Sequence, residues 1–441
     1  MGKTYFILSV CILFALSSCT SDDNEGGTQK NLTIKGYKNK NLSLEIVEDG
    51  TPDFNSSDYK SSEISKEERD FIDNMNRFSI DLFRSVAAAD LKNGGNTFVS
   101  GYSVEQVLGM IANGAAGTSL SEILSVFGSG SVESFNACNK ILSNQLDKNK
   151  GKIRMDIANA IWMQNSGNIL RSFVSNVTNY YDADIYAHDF TSSDAGRTIN
   201  RWCSDKTDGM IDRLFEDGSL PYSLLFTNAL YFKSDWSYKF DKKLTAKDKF
   251  TNSDKSTSDV EMMRWKDLLY LNYANLENMN VVSIPYKGNF SMAVGLPDEG
   301  VDISECISSF NSENWEKILE GFKTNTKEYK FDVVFPKFDM SSDFYLTGSL
   351  MSQGIVSVFG DEADLSRISS DNKSIGVVRQ VTRLKINEDG AEAAAVTVGG
   401  DVSANPHWGE KVEFRLDRPF ILAIYDNTTN AILFLGSINK L

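Results

Sequence analysis

Residues 388–406 read Glu388-Asp-Gly-Ala-Glu-Ala-Ala-Ala-Val-Thr-Val-Gly-Gly-Asp-Val-Ser-Ala-Asn-Pro406. The segment consists almost wholly of small residues and lies between a strand-like stretch, residues 377–387, and two strand-like runs at the end of the chain. Taken alone, its alanines fit either a turn of helix or a flexible surface loop. The sequence on both sides of the segment decides between these interpretations.

Further motifs lie on both sides of this segment. In chain order they are Asn96-Thr-Phe-Val-Ser-Gly-Tyr-Ser-Val104, Ala112-Asn-Gly-Ala-Ala-Gly117, Ile199-Asn-Arg-Trp202 with Thr207-Asp-Gly-Met-Ile211, Thr227-Asn-Ala-Leu-Tyr-Phe-Lys-Ser-Asp-Trp236, Phe414-Arg-Leu-Asp-Arg-Pro-Phe-Ile-Leu422 and Phe434-Leu-Gly436. Together with residues 388–406, they resemble the motifs of the serpin family, in the order of that family, over residues 66–441. Several motifs in the right order are far more specific than any one of them.

The resemblance implies an α+β, serpin-like fold. Helices would pack on a large mixed β-sheet with additional smaller sheets, and a reactive loop at about residues 388–410 would be exposed near the C-terminus. The resemblance also assigns a hinge at the start of the loop, formed by Glu388, Gly390, Ala391, Glu392, Ala393, Ala394, Ala395 and Thr397. It assigns the positions under the sheet, called the shutter, to Ser100, Ser103, Asn228 and Gln380. It assigns the position where the loop first inserts, called the breach, to Trp236.

The sequence departs from the family at several of these positions. The hinge residue that is usually Thr is Ala391, the usual Pro after the first shutter Ser is Gly101, and the usual shutter His is Gln380. None of these changes forbids inhibition, because Ala391 can enter a packed sheet without a desolvation cost and Gln380 can hydrogen-bond polar neighbours. The loop is also longer than is usual in the family.

A serpin-like inhibitor needs a loop that is bait when exposed and becomes a strand once it is cut. In an inserted strand Ala391, Ala393, Ala395 and Thr397 would share one face, and their small size suits the interior of a sheet. Insertion of about 14 residues would carry an attached protease about 45 Å along the sheet. Because Gly399, Gly400 and Asp401 are poor strand formers, we also expect some substrate-like turnover.

The scissile bond follows from counting along the loop as the family spaces it. This places the bond at Ala404-Asn405, with Val402-Ser403 and Ser403-Ala404 as near alternatives. Trypsin-like proteases lack an anchor, since no Lys or Arg lies between Lys385 and Lys411. Elastase-like or subtilisin-like enzymes fit best, and a papain-like cysteine protease that reads Val402 is an alternative.

Composition excludes several other classes of function. The chain of 441 residues has a net charge of −15, which repels phosphate backbones, so no nucleic-acid partner is expected. His188 and His407 are its only histidines, too few for a His-rich metal site or an easily assembled Ser-His-Asp hydrolase. We therefore expect no catalytic residues, no metal and no cofactor. Cys138, Cys203 and Cys306 lie at wide spacings without a CxxC, and we expect each to be a small buried residue.

The N-terminus is typical of a secreted lipoprotein. Lys3 precedes an apolar run, residues 5–16, and Leu16-Ser-Ser-Cys19 resembles the bacterial lipobox, in which Cys19 carries the lipid. An ordinary signal peptide is the alternative. The acidic residues 20–25 favour either surface export or a solvated linker. We therefore expect a bacterial outer-membrane lipoprotein, with display on the cell surface as one alternative, and contact with the membrane through the lipid on Cys19.

Three segments are expected: a signal peptide at 1–18, an acylated Cys19 with a tether at 19–65, and a serpin-like domain at 66–441. A flexible tether of this length would span roughly 35–40 Å, although two alternating patches in it, residues 32–34 and 42–46, can instead add an edge strand. From Lys66 through the first third of the chain, apolar residues recur mainly at helical spacing, and strand-like runs dominate after that. This order favours an α+β domain. Ser119 and Glu122 predict a capping box at the start of a short helix.

The leading hypothesis is an irreversible inhibitor of serine proteases that prefer small residues, acting as a monomer on its target protease. The first alternative is a non-inhibitory serpin-fold binding protein that is cleaved as a plain substrate. The Ala-rich hinge argues against this alternative. A surface glycan-binding or hydrolase lipoprotein is a third possibility, for which no carboxylates or aromatic platforms can be placed from sequence.

Overall fold

The computed structural model describes residues 32–50, 59, 63–148, 154–325, 329–369, 375–390 and 410–441. Its helices are α1 Lys66–Asp90, α2 Gly101–Gly114, α3 Gly117–Val126, α4 Val132–Asp147, α5 Arg171–Tyr181, α6 Ala195–Lys206, α7 Ile303–Ser309, α8 Ser312–Thr324 and α9 Thr347–Ser352. The helices pack on several separate sheets, which confirms the predicted α+β class.

The strands are β1 Thr33–Gly36, β2 Asn39–Val47, β3 Thr97–Val99, β4 Arg154–Gln164, β5 Asn168–Leu170, β6 Asp184–His188, β7 Leu224–Lys233, β8 Ala246–Thr251, β9 Thr257–Arg264, β10 Leu269–Tyr270, β11 Asn272–Leu276, β12 Met279–Pro285, β13 Phe290–Pro297, β14 Tyr329–Pro336, β15 Phe338–Tyr345, β16 Arg379–Ile386, β17 Glu410–Arg415, β18 Phe420–Asp426 and β19 Ile432–Ile438. The strand-like stretch at residues 377–387 and the two strand-like runs at the end of the chain therefore form β16, β18 and β19. The two last strands pair antiparallel, as the turn-rich residues between them predict.

Helix α1 begins where the sequence signals change from linker to amphipathic helix. Ser65 caps it by accepting from the backbone N–H of Glu68, whose carboxylate accepts from the backbone N–H of Ser65. Its apolar side chains recur at helical spacing and are buried: Phe71, Met75, Phe78, Leu82 and Phe83. Helix α2 packs behind α1, and every one of its residues is buried.

The predicted capping box at Ser119 is wrong. Helix α3 already begins at Gly117, and Ser119 lies inside it, where its hydroxyl contacts Ser357 and accepts from the backbone N–H of Asp364. Glu122 accepts from the backbone N–H groups of residues 356 and 357. Both side chains bind a segment more than 230 residues away, so a local pattern could not reveal their roles.

A six-stranded antiparallel sheet forms much of the core, in the order β11-β12-β13-β18-β19-β3. Every residue of β13, β18 and β19 is buried, because helices or other strands cover both faces. A five-stranded sheet joins β10, β14, β9 and β8, and β17 pairs parallel with β14. Strand β17 is the first described element after residue 409, so this sheet fixes the C-terminal end of the segment that the sequence assigns to the reactive loop.

Five further strands form two separate sheets, which we call the divided sheet. Strand β4 pairs parallel with β6 and antiparallel with β7, whereas β15 and β16 form a separate antiparallel pair. Over the described residues, which include all of β7 and β16, no backbone ladder joins these two strands. Each of them therefore ends its sheet with an unpaired edge.

Residues 33–47 form the hairpin β1–β2. The sequence is compatible with either a flexible tether or an edge strand in this region. Strand β2 continues parallel to β5, and the turn residue Tyr37 packs edge-on against Trp162 of β4 and Tyr186 of β6, with ring centroids 5.9 and 5.4 Å apart. The Tyr37 hydroxyl donates to Asp205 of α6. The hairpin therefore connects the edge of β6 with helix α6.

The three cysteines of the described domain, Cys138, Cys203 and Cys306, are free and buried. Burial is the main cause that raises the pKa of each thiol, to about 12, 12 and 11 respectively. His188 lies buried at the end of β6. The described part of the chain contains neither a cluster of three metal-binding side chains nor a helix long and apolar enough to cross a membrane.

Candidate functional site

The candidate site lies where β7 and β16 end next to each other. After β16 the chain makes a tight turn, residues 387–390, in which Asn387 and Gly390 exchange backbone hydrogen bonds of 3.2 Å. Gly390 then forms an antiparallel bridge with Asp235, just beyond the end of β7. The turn therefore brings Gly390 next to the end of β7.

Gly390 has no room for a side chain. Its φ is +122°, which side-chain-bearing residues rarely adopt, and a Cβ atom would lie 2.3 Å from the carbonyl oxygen of Ser234 and 2.7 Å from the backbone of Asp235 and Trp236. The glycine predicted in the hinge is thus required by a close approach of two backbones.

Trp236 anchors the turn from the β7 side. Its backbone N–H donates to the carbonyl of Asp389, and its indole N–H donates to that of Asn387, both at 3.0 Å. The indole is fully buried and stacks on Tyr286 with ring centroids 4.2 Å apart. The structure thus places this breach residue in direct contact with the hinge turn.

Glu388 is held by polar contacts on the same side of the turn. It is 6% exposed, accepts from the Thr245 hydroxyl at 2.9 Å and pairs with Lys337 at 3.2 Å. Burial by itself would raise the pKa of this carboxyl, but hydrogen bonds from its own backbone N–H, Thr245 and Lys337 lower that pKa below its usual value. Glu388 is therefore an ionised anchor of the hinge.

Asp389 adds a second ionic contact, which the sequence analysis missed. Its carboxylate pairs with Lys239 at 2.9 Å and with Lys242 at 2.6 Å. Burial would raise its pKa, and the two ammonium groups lower that pKa below the usual value. The lysines follow Trp236 by only a few residues, but no local pattern signals that they meet a carboxylate about 150 positions later.

The first turn of α2 binds both halves of the divided sheet. The Gln380 side chain of β16 accepts from the backbone N–H of Ser100 and donates to its carbonyl, both at 2.9 Å. Ser103 donates to Asn228 of β7 at 2.5 Å, and Asn228 donates to Asn159 of β4 at 2.7 Å. The structure therefore brings together all four residues that the sequence assigned to the shutter.

The hydroxyl of Ser100 completes this arrangement, because it donates to the carbonyl of Leu433 in β19 and accepts from the N–H of Ser103. The departure at Gly101 also has a physical reason. A Cβ atom at this position would lie 2.0 Å from the hydroxyl of Ser79 on α1. Helix α1 therefore approaches the start of α2 too closely for a larger residue.

Several predicted residues lie outside the described part of the chain. They are the lipid-attachment residue Cys19, the hinge residues Ala391, Glu392, Ala393, Ala394, Ala395 and Thr397, and the bait residues Val402, Ser403, Ala404 and Asn405. The described hinge residues are Glu388 and Gly390, and both lie at the ends of β7 and β16.

Comparison with known proteins agrees with this geometry. A family model described as Serpin (serine protease inhibitor) matches residues 73–441. Iripin-2 of Ixodes ricinus is 30% identical over 83% of this chain and 92% of its own length. The leukocyte elastase inhibitor of Homo sapiens is 29% identical over 82% of this chain and 97% of its own length.

Solved structures agree as well. The native-state crystal structure of tengpin, a thermophilic serpin, superposes with a TM-score of 0.72 at 27% identity, covering 90% of this chain and 97% of tengpin. Human kallistatin superposes with a TM-score of 0.76 at 23% identity, covering 85% of this chain and 99% of its own, which shows the common fold. The chain therefore belongs to the serpin family.

Proposed function

We propose that the protein is an irreversible, suicide-substrate inhibitor of serine proteases that prefer small residues. Membership in the serpin family supports protease inhibition in general, and one relative is named as a leukocyte elastase inhibitor. The observation that carries the finer proposal is the division between β7 and β16, with the hinge turn at its end. A strand placed there would hydrogen-bond to two edges at once.

The proposed mechanism uses the hydrogen bonds that a strand inserted between β7 and β16 would form. A protease cleaves the reactive loop and remains attached as its acyl-enzyme, while the cut loop inserts as a new strand between β7 and β16. Each new hydrogen bond contributes about 0.5–1.5 kcal/mol, so insertion of about 14 residues is strongly favourable. The protease is carried about 45 Å and pressed against the inhibitor, and a displacement of about 1 Å in its catalytic geometry costs about 100-fold in rate.

Specificity is proposed from the sequence of the loop. We place the scissile bond at Ala404-Asn405, with Val402-Ser403 and Ser403-Ala404 as alternatives, and we expect elastase-like or subtilisin-like targets. A papain-like cysteine protease is the other candidate. The residues near the bond are small and uncharged, which suits shallow specificity pockets.

The location is likewise proposed from the sequence. Lipid on Cys19 would attach the protein to the outer membrane of a bacterium, either facing the periplasm or displayed on the cell surface. The hairpin begins at Thr33, so only 13 residues, 20–32, separate it from Cys19. The inhibitory domain would then act close to the membrane.

The test is to mix the chain from residue 20 onward with neutrophil elastase and with subtilisin, and to analyse the products on denaturing gels and by mass spectrometry. A covalent adduct, together with a released peptide that starts at or near Asn405, is the expected result. Cleavage in this window without an adduct would instead support the non-inhibitory, substrate-like alternative.

A matched pair of variants separates insertion from cleavage. Ala393→Arg would place a charge on the face that must enter the sheet, whereas Ala394→Arg places the same charge on the opposite face. We expect the first variant to be cleaved without forming an adduct and the second to retain the adduct. Equal loss of the adduct in both variants would contradict insertion in this register.

A further inference from the structure

Helix α2 contains a buried acid that the proposed mechanism does not use. The side chain of Glu105 is fully buried, five residues after Ser100 and two after Ser103. Its Oε2 accepts from the Gln106 side chain at 2.8 Å. Over the described residues, Oε1 has no hydrogen-bond partner and no lysine or arginine pairs with the carboxyl group.

In the part of the chain that the structure describes, no positively charged side chain pairs with Glu105 to offset an ionised form. The titratable groups that interact with Glu105 are Tyr102 on the same helix, Cys138 on α4 and Tyr181 at the end of α5, and Glu67 and Glu68 in the first turn of α1 lie near Cys138. Asp147 and Asp182 lie farther out, near Tyr102. Lys140 of α4 pairs with Asp182 at 3.5 Å.

The other elements that pack on α2 add no positive charge that pairs with Glu105 within the described residues. Helix α3 and strands β7 and β19 contribute no ion-pair partner to Glu105 within the described residues. Gln106, its hydrogen-bond donor, also donates to Asn139 of α4 at 2.5 Å, and the side-chain nitrogen of Asn139 has no partner among the residues that the structure describes. Among the described residues, this shared donor is therefore the one hydrogen-bond donor to the carboxyl group.

An ionised carboxylate can accept about four hydrogen bonds, and burying one with a single donor is costly, whereas the neutral acid is tolerated. We propose that Glu105 keeps its proton in the folded protein at neutral pH, and that its ionisation at higher pH destabilises the helix that binds both halves of the divided sheet. Burial raises the pKa of Glu105 to about 8, which agrees with this geometry.

The sign of the effect follows from linkage. In the unfolded chain the carboxyl ionises near pH 4.5, and in the folded chain near pH 8. Between these values the unfolded state binds fewer protons, so the stability of the fold decreases as the pH rises and levels off above the folded-state pKa. One proton corresponds to about a tenfold change in the unfolding equilibrium constant for each pH unit.

The test compares the wild type with Glu105→Gln, a neutral side chain of the same size, and needs no protease. The first urea-induced unfolding transition of the chain from residue 20 onward is measured between pH 5 and pH 9. We expect the ratio of the wild-type unfolding constant to that of the variant to rise about 100-fold from pH 5.5 to pH 7.5 and then to level off. A ratio that stays constant across this range would overturn the proposal.

Two controls keep the result interpretable. Glu320→Gln, the same substitution at an exposed position on α8, is the control with which the ratio for Glu105→Gln is compared. If Glu105→Gln fails to fold, infrared spectra of the wild type labelled with [¹³C]glutamate provide a second measurement. A glutamate band of a protonated carboxyl group should persist at pH 7 and disappear near pH 8. Its absence at pH 7 would overturn the proposal, and the label excludes Asp426, a buried acid whose pKa is also raised.

Discussion

The side-chain amide of Gln380 forms a reciprocal pair of hydrogen bonds with the backbone of Ser100, each 2.9 Å long. Gln380 belongs to β16, and Ser100 is the N-cap of α2. Because Ser103 of the same helical turn binds Asn228 of β7, one turn of helix holds the two strands on either side of the division. The amide thus supplies at this position a donor and an acceptor together.

We expect Gln380→Ala to destabilise the folded protein by about 2–3 kcal/mol, because it leaves the buried N–H of Ser100 without a partner and also creates a cavity. Urea unfolding monitored by circular dichroism measures the change. Thr382→Ser, two residues along β16, keeps the hydroxyl that donates to the carbonyl of Phe98 and should cost much less. Equal stability of Gln380→Ala and the wild type would refute the bridging role.

Gly390→Ala should destabilise the hinge turn by at least about 2 kcal/mol, since its φ of +122° and the backbone of Ser234 to Trp236 leave no space for a Cβ atom. The same substitution at Gly360 is a matched control, because no atom lies within 4 Å of a Cβ built there. Thermal unfolding of the two variants compares them directly. A similar melting temperature for both would mean that the hinge turn adapts without cost.

Glu388→Gln tests the ionic anchor of the hinge. The lowered pKa of Glu388 means that its ionised form stabilises the fold above the pKa of the unfolded chain, and that this contribution is lost as the pH falls through the folded-state pKa. At pH 7 we expect the variant to be less stable by about 1.5–3 kcal/mol, the usual range for hydrogen bonds to charged groups. The difference should shrink below about pH 4.5. A difference that persists unchanged at pH 3 would rule out this origin.

Tyr37→Ala tests whether the N-terminal hairpin supports the domain. The variant loses two edge-on aromatic contacts and the hydrogen bond to Asp205, so we expect a loss of about 1–3 kcal/mol in unfolding free energy. Trp162 should also become more exposed, which tryptophan fluorescence reports. The control is Tyr238→Ala, at a position where the side chain is 52% exposed. If both variants behave alike, the hairpin contributes nothing beyond surface cover.

The elements with regular spacing could be predicted from sequence. The apolar residues of α1 recur every three or four positions, and strands β12, β13, β18 and β19 of the six-stranded sheet are largely apolar runs, so local patterns suffice for both. The divided sheet could not be predicted from such patterns. The shutter residues could be predicted only from the resemblance to the serpin family, because Ser100 and Gln380 are 280 positions apart in the chain.

Other features depend on tertiary contacts that no local pattern contains. The hairpin at residues 33–47 is polar and Asn-rich, and the packing of Tyr37 against Trp162 settles its structure. The lysines that bind Asp389 read as ordinary surface charges, and Ser119 reads as a helix cap although it binds a distant segment. In each case the partner is far away in the chain.

The position of β18 and β19 has a consequence for the cleaved protein. These strands lie in the interior of the six-stranded sheet, between β13 and β3, and all their residues are buried. A cut at residues 404–405 would therefore produce two polypeptides that stay assembled as one particle, held by the sheet without a covalent link. Size-exclusion chromatography would not separate them, and only denaturant would release the C-terminal piece.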